Sequence, residues 1–158
     1  IRKEKFELVL QKAAELGVTK IVPYVSCRCV VKYKKEKGDK VLSRYQDILL
    51  EASEQCKRNI VPEIVEPIKL SELAKYCSDV NLLPYENAYG GARYMSEIID
   101  EKKSLTIVIG PEGGFSDEEV EELKTAGFET VTLGSRILRA ETAAMYACSV
   151  ASEILARK

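Results

Sequence analysis

Near the end of the sequence, two arginines and a glutamate fall within a six-residue stretch. Arg136, Arg139 and Glu141 flank the apolar pair Ile137-Leu138, and the stretch follows Gly134. Guanidinium groups offer planar sets of N–H donors to carbonyl or phosphate oxygens and stabilise developing negative charge. An apolar pair inside a loop otherwise made of glycine and charge could form the floor beneath a flat heterocycle. The stretch therefore predicts a binding site for a planar ligand.

A second glycine-rich segment, residues 109–116, reads Ile-Gly-Pro-Glu-Gly-Gly-Phe-Ser. Leu105–Ile109 is a short apolar run typical of a buried strand, and the glycines after it let a ligand approach bare backbone. Ser116 and Glu119 form a capping box, which predicts that a helix begins directly after the loop. Because the first turn of that helix is acidic, and because the segment has neither Gly-Lys-Ser/Thr nor G-x-G-x-x-G, a polyphosphate ligand is disfavoured.

Both segments follow a predicted strand, and this placement indicates where the ligand should bind. Glu129–Leu133 reads as a strand that Gly134 ends, and Val80–Leu83 reads as another that ends in Pro84. Open α/β sheets bind ligands in the crevice outside the carboxyl ends of their strands. The three strand-end loops are therefore predicted to form the walls of one pocket.

The whole pattern predicts an α/β sandwich with a mostly parallel sheet. Helices are predicted at about 3–16, 39–57, 94–103 and 140–157, with Gly17 as the C-cap of the first and a shorter helix capped by Ser71. Further strands are predicted at about 20–25, interrupted by Pro23, and at about 27–31 and 63–68. The last helix has a face of small side chains, which suits packing on a sheet or on a second copy of itself.

Four motifs together resemble one enzyme family. The two stronger ones are Gly110-Pro-Glu-Gly-Gly114 with Phe115-Ser116, and Leu133-Gly-x-Arg136-Ile-Leu-Arg139-x-Glu141-Thr-Ala143. The two weaker ones are Gln11-Lys-Ala-x-Glu15-Leu-Gly17, and Glu51-Ala-x-x-Gln55-x-x-Arg58 followed by Val61-Pro62. On these motifs the chain resembles the ribosomal small-subunit methyltransferase E family of the SPOUT superfamily. Its members methylate N3 of a uridine in 16S ribosomal RNA with S-adenosylmethionine.

The resemblance implies a fold, an assembly and a cofactor. Residues 1–158 would form one SPOUT methyltransferase domain, with a C-terminal trefoil knot and a homodimeric assembly. The knot comes from the resemblance alone, since backbones almost never knot. S-adenosylmethionine would be held by residues of the three strand-end loops, namely Leu83, Pro84, Ile109, Gly110, Pro111, Glu112, Gly113, Leu133, Gly134, Ile137 and Leu138.

The resemblance also implies the chemistry, in which a methyl group moves from a sulfonium to a uracil nitrogen whose proton must leave. The protein has to align a nearly linear displacement. Arg136 and Arg139 are candidates to orient the uridine through its carbonyl oxygens or backbone phosphate, and to stabilise the deprotonated ring. Glu141 or Glu112 could accept the proton if burial poises it, although either could equally be structural.

RNA contacts are expected at basic residues away from these loops. Arg28 and Lys32 lie in a basic segment that also contains Tyr33, and Arg58 belongs to a weaker motif. The chain as a whole carries 24 Lys and Arg against 25 Asp and Glu, so it has no positive surplus to spread over 16S ribosomal RNA or the small subunit. The resemblance implies an additional N-terminal RNA-binding domain in relatives, without which RNA binding should be weak and salt-sensitive.

Composition narrows the alternatives. No apolar run approaches the roughly 20 residues of a membrane span and no signal peptide is visible, which indicates a cytoplasmic protein. Histidine is absent, so Ser-His-Asp catalysis, Cys-His catalysis and HExxH zinc chemistry are excluded, and no metal is expected. The remaining alternative is a non-catalytic RNA- or nucleotide-binding domain that kept the fold. The intact loops in both halves argue against it.

Overall fold

The computed structural model describes residues 1–27 and 38–157. The α-helices in these ranges are α1 (Lys3–Glu15), α2 (Gly38–Gln55), α3 (Asp117–Thr125) and α4 (Ala140–Leu155). The strands are β1 (Lys20–Ile21), β2 (Tyr24–Val25), β3 (Glu63–Ile64), β4 (Ile68–Lys69), β5 (Val80–Pro84), β6 (Leu105–Ile107) and β7 (Glu129–Val131). The predicted α/β class is confirmed, with strands shorter than the sequence suggested.

The central sheet is parallel, with the strand order β6–β5–β7. Leu82 and Leu83 are consecutive on β5, so their side chains point to opposite faces of the sheet, and both are fully buried. Leu83 packs with residues in and around α3, among them Phe115, Val120, Leu123 and Phe128. Leu82 packs with residues of β7 and α4, among them Val131, Ala147, Ala151 and Ile154. Helices α3 and α4 therefore cover opposite faces, and the three strands end at one edge.

The small-residue face of α4 is used within the chain. Ala144, Ala147 and Ala151 are buried, and the last two belong to the core beneath the sheet. Of the two uses that the sequence allowed for this face, packing on the chain's own sheet is therefore the one that these alanines serve. A second copy that packed on α4 would therefore contact other residues of this helix.

The N-terminal half adds two short parallel pairs, β1–β3 and β2–β4. Pro23 separates β1 from β2, as predicted. Helices α1 and α2 pack on this part through a third core, which contains Leu10, Ala14, Leu49, Ala52 and Ile64. The strand predicted at about 63–68 is divided into β3 and β4. Residues 28–31 of the strand predicted at 27–31, and the basic residues Arg28 and Lys32, lie outside the described ranges.

The helix predicted at 94–103 is wrong. Only a single 3-10 turn, Met95–Glu97, forms there. The Tyr94 backbone N–H donates to the Glu97 carboxylate at 2.6 Å, which caps this one turn. Ile98 and Ile99 then pack against the core beneath α4, so the apolar pattern reflects burial of a loop and not of a helix face.

The predicted cap of the short helix in the middle of the chain is also wrong. This 3-10 helix, Leu70–Tyr76, begins before Ser71 and has Lys69 as its N-cap. The Lys69 backbone N–H donates to Glu72 Oε1 at 3.2 Å. Glu72 therefore caps the helix from a position three residues after the N-cap, and this N-cap lies two residues earlier than predicted.

Arg58 links the end of α2 to the end of α1. Lys57 has a left-handed backbone, with φ of 62°, and the Arg58 N–H donates to the Ser53 carbonyl at 2.8 Å. The Arg58 Nη1 group then donates to the carbonyls of Ala14 and Val18 at 2.8 and 2.9 Å. The last carbonyls of a helix have no partner within it, so Arg58 caps α1. Contact with RNA through its other donors stays a prediction.

We expect Arg58→Ala to lower the free energy of unfolding by about 2 kcal/mol, because hydrogen bonds from a charged donor to the Ala14 and Val18 carbonyls are lost. The matched control is Arg44→Ala, which removes an exposed arginine that pairs with Glu7 of α1 at 3.3 Å. That change should cost less than about 1 kcal/mol. Urea denaturation of both variants measures the difference, and equal losses would contradict the capping role.

Candidate active site

The loops after β5, β6 and β7 meet, as predicted, around a cleft of about 390 Å³. The predicted cofactor residues that line it are Pro84, Ile109, Gly110, Pro111, Glu112, Gly113, Leu133, Gly134, Ile137 and Leu138, and the predicted catalytic residues Arg136, Arg139 and Glu141 line it as well. Leu83 does not line the cleft, because its side chain is fully buried in the core on the α3 side. It anchors the strand that carries Pro84 to the cleft.

Several cleft residues were missed from the sequence: Lys5, Tyr85, Glu86, Gly114, Phe115, Ala140 and Ala143. Most of them adjoin predicted residues, so extending each loop by one or two positions would have included them. Lys5 is different because it lies on α1, far away in sequence. Helix α1 packs against α4, and this contact brings Lys5 to the cleft.

Two aromatic side chains, Tyr24 and Phe115, hold the loop after β6 in place. The Tyr24 hydroxyl donates to the Ile109 carbonyl at 2.7 Å, and the Tyr24 ring stacks on Phe115 with centroids 6.3 Å apart. A Cβ at Gly110 would lie 3.1 Å from Phe115 Cε2. Glycine at this position therefore makes room for the Phe115 ring, and not only for a ligand. The Ser116 capping box is confirmed, with the Glu119 N–H donating to Ser116 Oγ at 3.2 Å.

The loop after β7 turns at Gly134, whose φ of +111° is a conformation that favours glycine. The Gly134 N–H donates to Thr132 Oγ1 at 3.0 Å, and the Thr132 hydroxyl donates back to the Gly134 carbonyl at 3.2 Å. A Cβ on Gly134 would have no protein atom within 4 Å. Farther along the loop, Ile137 is 81% exposed and gives the cleft an uncovered apolar surface.

Charge is divided between the elements that form the cleft. The loops after β5 and β6 contribute the carboxylates Glu86 and Glu112, and helix α1 and the loop after β7 contribute the cations Lys5, Arg136 and Arg139. Glu86 faces the loop after β6, since its Oε1 lies 3.7 Å from the place of a Cβ on Gly114. A ligand in the cleft therefore meets negative charge on one set of loops and positive charge on the other.

Glu141 lies in the first turn of α4 and is held as an anion. Its side chain is 14% exposed and pairs with Lys5 Nζ at 3.2 Å through Oε1. A hydrogen bond from its own backbone N–H, together with the Lys5 and Arg139 cations, holds the pKa of the Glu141 carboxyl below its usual value and outweighs the effect of burial. A lowered pKa makes a weaker base, which is the opposite of the poising by burial that the sequence allowed for.

We expect the stability difference between the native chain and Glu141→Gln to depend on pH. Because the pKa of Glu141 is lowered in the folded state, its contribution is fully present above the unfolded value of 4.5 and disappears as the pH falls through the lowered pKa. Thermal melts of both proteins from neutral to acidic pH measure it. A Tm difference that persists unchanged in strong acid would contradict the charge-based role.

The two weaker motifs meet at a separate groove between α1 and α2, with a volume of about 610 Å³. Gln11, Lys12 and Glu15 line it from α1, and Glu51 and Gln55 line it from α2. Lys12 and Glu15 pair with each other at 2.8 Å. The stronger motifs thus line the cleft at the strand ends, and the weaker motifs line the groove between α1 and α2.

Within the described residues, no group of three or more His, Cys, Asp and Glu side chains could hold a metal ion. No helix in these same ranges is long and apolar enough to cross a membrane.

Comparison with known proteins assigns the class. Residues 1–152 match the family model described as an RNA methyltransferase domain, and the chain belongs to this family. The resemblance inferred from the four motifs is confirmed at this level.

Individual relatives of this chain have a more specific description than the family model. Ribosomal RNA small subunit methyltransferase E from Mesomycoplasma hyopneumoniae is 37% identical over 150 residues, covering 92% of this chain and 63% of that protein. The protein of the same name from Bacillus subtilis is 37% identical over 156 residues, covering 94% of this chain and 61% of that protein. The chain thus spans about three fifths of the length of these curated relatives.

A solved structure is similar throughout the chain. It is the ribosomal RNA small subunit methyltransferase E from Neisseria gonorrhoeae bound to S-adenosyl methionine, with a TM-score of 0.87 and 34% sequence identity. The match covers 97% of this chain and 62% of that one. The predicted mostly parallel α/β arrangement with flanking helices is confirmed by this similarity.

Proposed function

We propose that the chain binds S-adenosylmethionine in the strand-end cleft and methylates N3 of a uridine in 16S ribosomal RNA. The observation that carries the proposal is the meeting of both stronger motifs in one cleft, with Arg136 and Arg139 beside the glycine-rich loops. The similar Neisseria gonorrhoeae enzyme, which binds this cofactor, supports it.

The residues around the cleft fit the cofactor. Its sulfonium and amino groups are positive and suit the carboxylate of Glu86, and its adenine suits the apolar surface of Ile137 and Leu138. Gly134 leaves open space that a side chain would occupy. When bound, S-adenosylmethionine supplies a methyl group already activated by the positive sulfur.

Arg136 and Arg139 are the residues that we assign to the target uridine. Arg136 and Arg139 are both exposed at the cleft, so their guanidinium groups can reach a base that enters from solvent. They orient the uridine through its carbonyl oxygens and stabilise the negative charge that its ring acquires on losing the N3 proton. The sequence suggested Glu141 and Glu112 as proton acceptors. Glu141 is paired with Lys5, so we assign this role to the exposed carboxylate of Glu112.

Finer features of the family complete the proposal. The chain would thread its C-terminal segment into a trefoil knot, act on naked RNA or on the assembled small subunit, and work in the cytoplasm, where ribosomal RNA is found. These expectations rest on the motifs and on the similarity to ribosomal RNA small subunit methyltransferase E.

We expect a homodimer in solution. The small face of α4 is occupied by the chain's own sheet, so the dimer would use exposed residues of this helix, among them Tyr146, which is 44% exposed. Light scattering at micromolar concentration should give twice the chain mass, and Tyr146→Glu should shift it towards the monomer. Tyr89→Glu, which changes an exposed tyrosine of the loop after β5, is the matched control and should leave the mass unchanged. A monomeric native chain would contradict the prediction.

Mass spectrometry tests the reaction itself. The chain is incubated with isotopically labelled S-adenosylmethionine and small-subunit RNA, either naked or assembled, and the RNA is digested to nucleosides. A labelled N3-methyluridine is expected. Cofactor binding without any labelled nucleoside would favour the rival, a non-catalytic nucleotide- or RNA-binding domain.

A further inference from the structure

Lys5 is a cleft-lining cation that the motifs leave out and that the proposed reaction does not use. Its side chain is 33% exposed, and its ammonium lies 3.2 Å from Glu141 Oε1. An ammonium has three N–H donors. Within residues 1–27 and 38–157, Glu141 is its single hydrogen-bonding or ionic partner, so donors remain for a ligand.

The surroundings of Lys5 distinguish it from an ordinary surface lysine. Its partner is a largely buried carboxylate that is anionic and fixed at the start of α4, so the ammonium is held in place. Lys5 also shares the basic side of the cleft with Arg136 and Arg139, which are both exposed. These three cations form a side of the cleft that is open to solvent, where an anionic polymer could lie along them. A small cofactor fits instead between the glycine-rich loops.

We propose that Lys5 binds a backbone phosphate adjoining the target uridine, with Glu141 as the residue that positions its ammonium. This inference rests on the proposed function, because it takes RNA as the substrate. Phosphate contacts fix the register of a nucleic acid on a protein, and base contacts select the nucleotide. Lys5 on α1 therefore sets where the chain of RNA lies while the arginines hold the base.

The first test measures how RNA binding depends on salt. The ligand is a short single-stranded RNA with one uridine, and the proteins are the native chain, Lys5→Met and Lys5→Arg. Loss of one phosphate contact should reduce the slope of log K against log salt by about 0.7 for a single strand. A fourfold rise in salt should then narrow the affinity gap between the native chain and Lys5→Met by about 2.6-fold. Lys5→Arg keeps the charge and should keep the slope.

The matched control is Lys20→Met. Lys20 also pairs with a glutamate of another element, Glu63, at 3.4 Å, but it does not line the cleft. Its removal should leave the slope unchanged. A slope for Lys5→Met equal to that of the native chain would overturn the proposal, and so would a loss of S-adenosylmethionine affinity with RNA binding unchanged, since Lys5 would then hold the cofactor carboxylate.

The second test identifies the phosphate. Neutral methylphosphonate replaces the phosphate on either side of the uridine, and each RNA is bound to the native chain and to Lys5→Met. If Lys5 contacts that phosphate, the two changes are not additive at one of the two positions. Additive effects at both positions would overturn the proposal.

The same samples separate this inference from the proposed function. Calorimetry with S-adenosylmethionine is run on the native chain and on Lys5→Met, and the nucleoside assay is run on the native chain. Coupling between Lys5 and a phosphate without methyl transfer would support the subsite and refute the enzyme. Methyl transfer with additive effects would support the enzyme and refute the subsite.

Discussion

Arg139→Ala is expected to lower the turnover of uridine methylation by about 10²–10³-fold, the range typical for the loss of one donor to a developing negative charge. Arg139 is the N-cap of α4, and its exposed side chain lines the cleft. It makes no side-chain cap to the helix, so its removal should leave the fold intact. Single-turnover kinetics measures the rate, and calorimetry should find the affinity for S-adenosylmethionine changed by less than about twofold.

Arg139→Lys is the informative companion, because it keeps the charge and loses the planar pair of donors. A rate between those of the native chain and Arg139→Ala would show that geometry matters beyond charge. Arg93→Ala is the matched control, since Arg93 is an exposed arginine that pairs with Glu129 at 2.7 Å and does not line the cleft. If cofactor affinity falls in step with the rate in Arg139→Ala, Arg139 belongs to the cofactor pocket instead.

The cleft could be predicted from the sequence because its three loops follow strands that can be recognised from short apolar runs. Buried parallel strands are apolar on both faces, so they stand out as short runs that end in glycine or proline. Parallel strands also share their carboxyl edge, so the three loops had to meet. Leu83 shows the limit of this rule. Residues alternate between faces along a strand, and Leu83, one residue before the strand ends at Pro84, points into the core.

The positions of Lys5 and Arg58 could not be predicted in this way. Both lie on polar stretches that a pattern assigns to solvent. Lys5 reaches the cleft because α1 packs on α4, and Arg58 reaches the Ala14 carbonyl because α2 packs on α1. Such packing depends on three-dimensional contacts between distant segments. A periodic pattern therefore predicts solvent exposure for side chains whose contacts lie on a different segment of the chain, and this prediction is wrong for them.

The turn at 95–97 was missed for a related reason. Met95, Ile98 and Ile99 are apolar at the i, i+3 and i+4 spacing of a helix, but they pack in the core between the sheet and α4. The Glu97 carboxylate closes the turn locally. Apolar spacing over a few residues reports burial, and only a longer run distinguishes a helix from a buried loop.

Gly134→Ala should weaken S-adenosylmethionine binding by at least about tenfold, which corresponds to about 1.4 kcal/mol. Two effects act together. A side chain is strained at the φ of +111° of Gly134, and its Cβ would project into space that no protein atom occupies, at a residue that lines the cleft. Calorimetry with S-adenosylmethionine measures the loss.

Gly127→Ala separates these two effects. Gly127 has the same φ of +111° and equally has no protein atom within 4 Å of a built Cβ, but it follows α3 and does not line the cleft. Both variants should therefore lose a similar amount of stability, about 1–3 kcal/mol, through backbone strain. Only Gly134→Ala should lose cofactor affinity beyond that strain. Equal affinities in the two variants would show that the ligand does not use the space at Gly134, and the cofactor would then have to lie nearer the loops after β5 and β6.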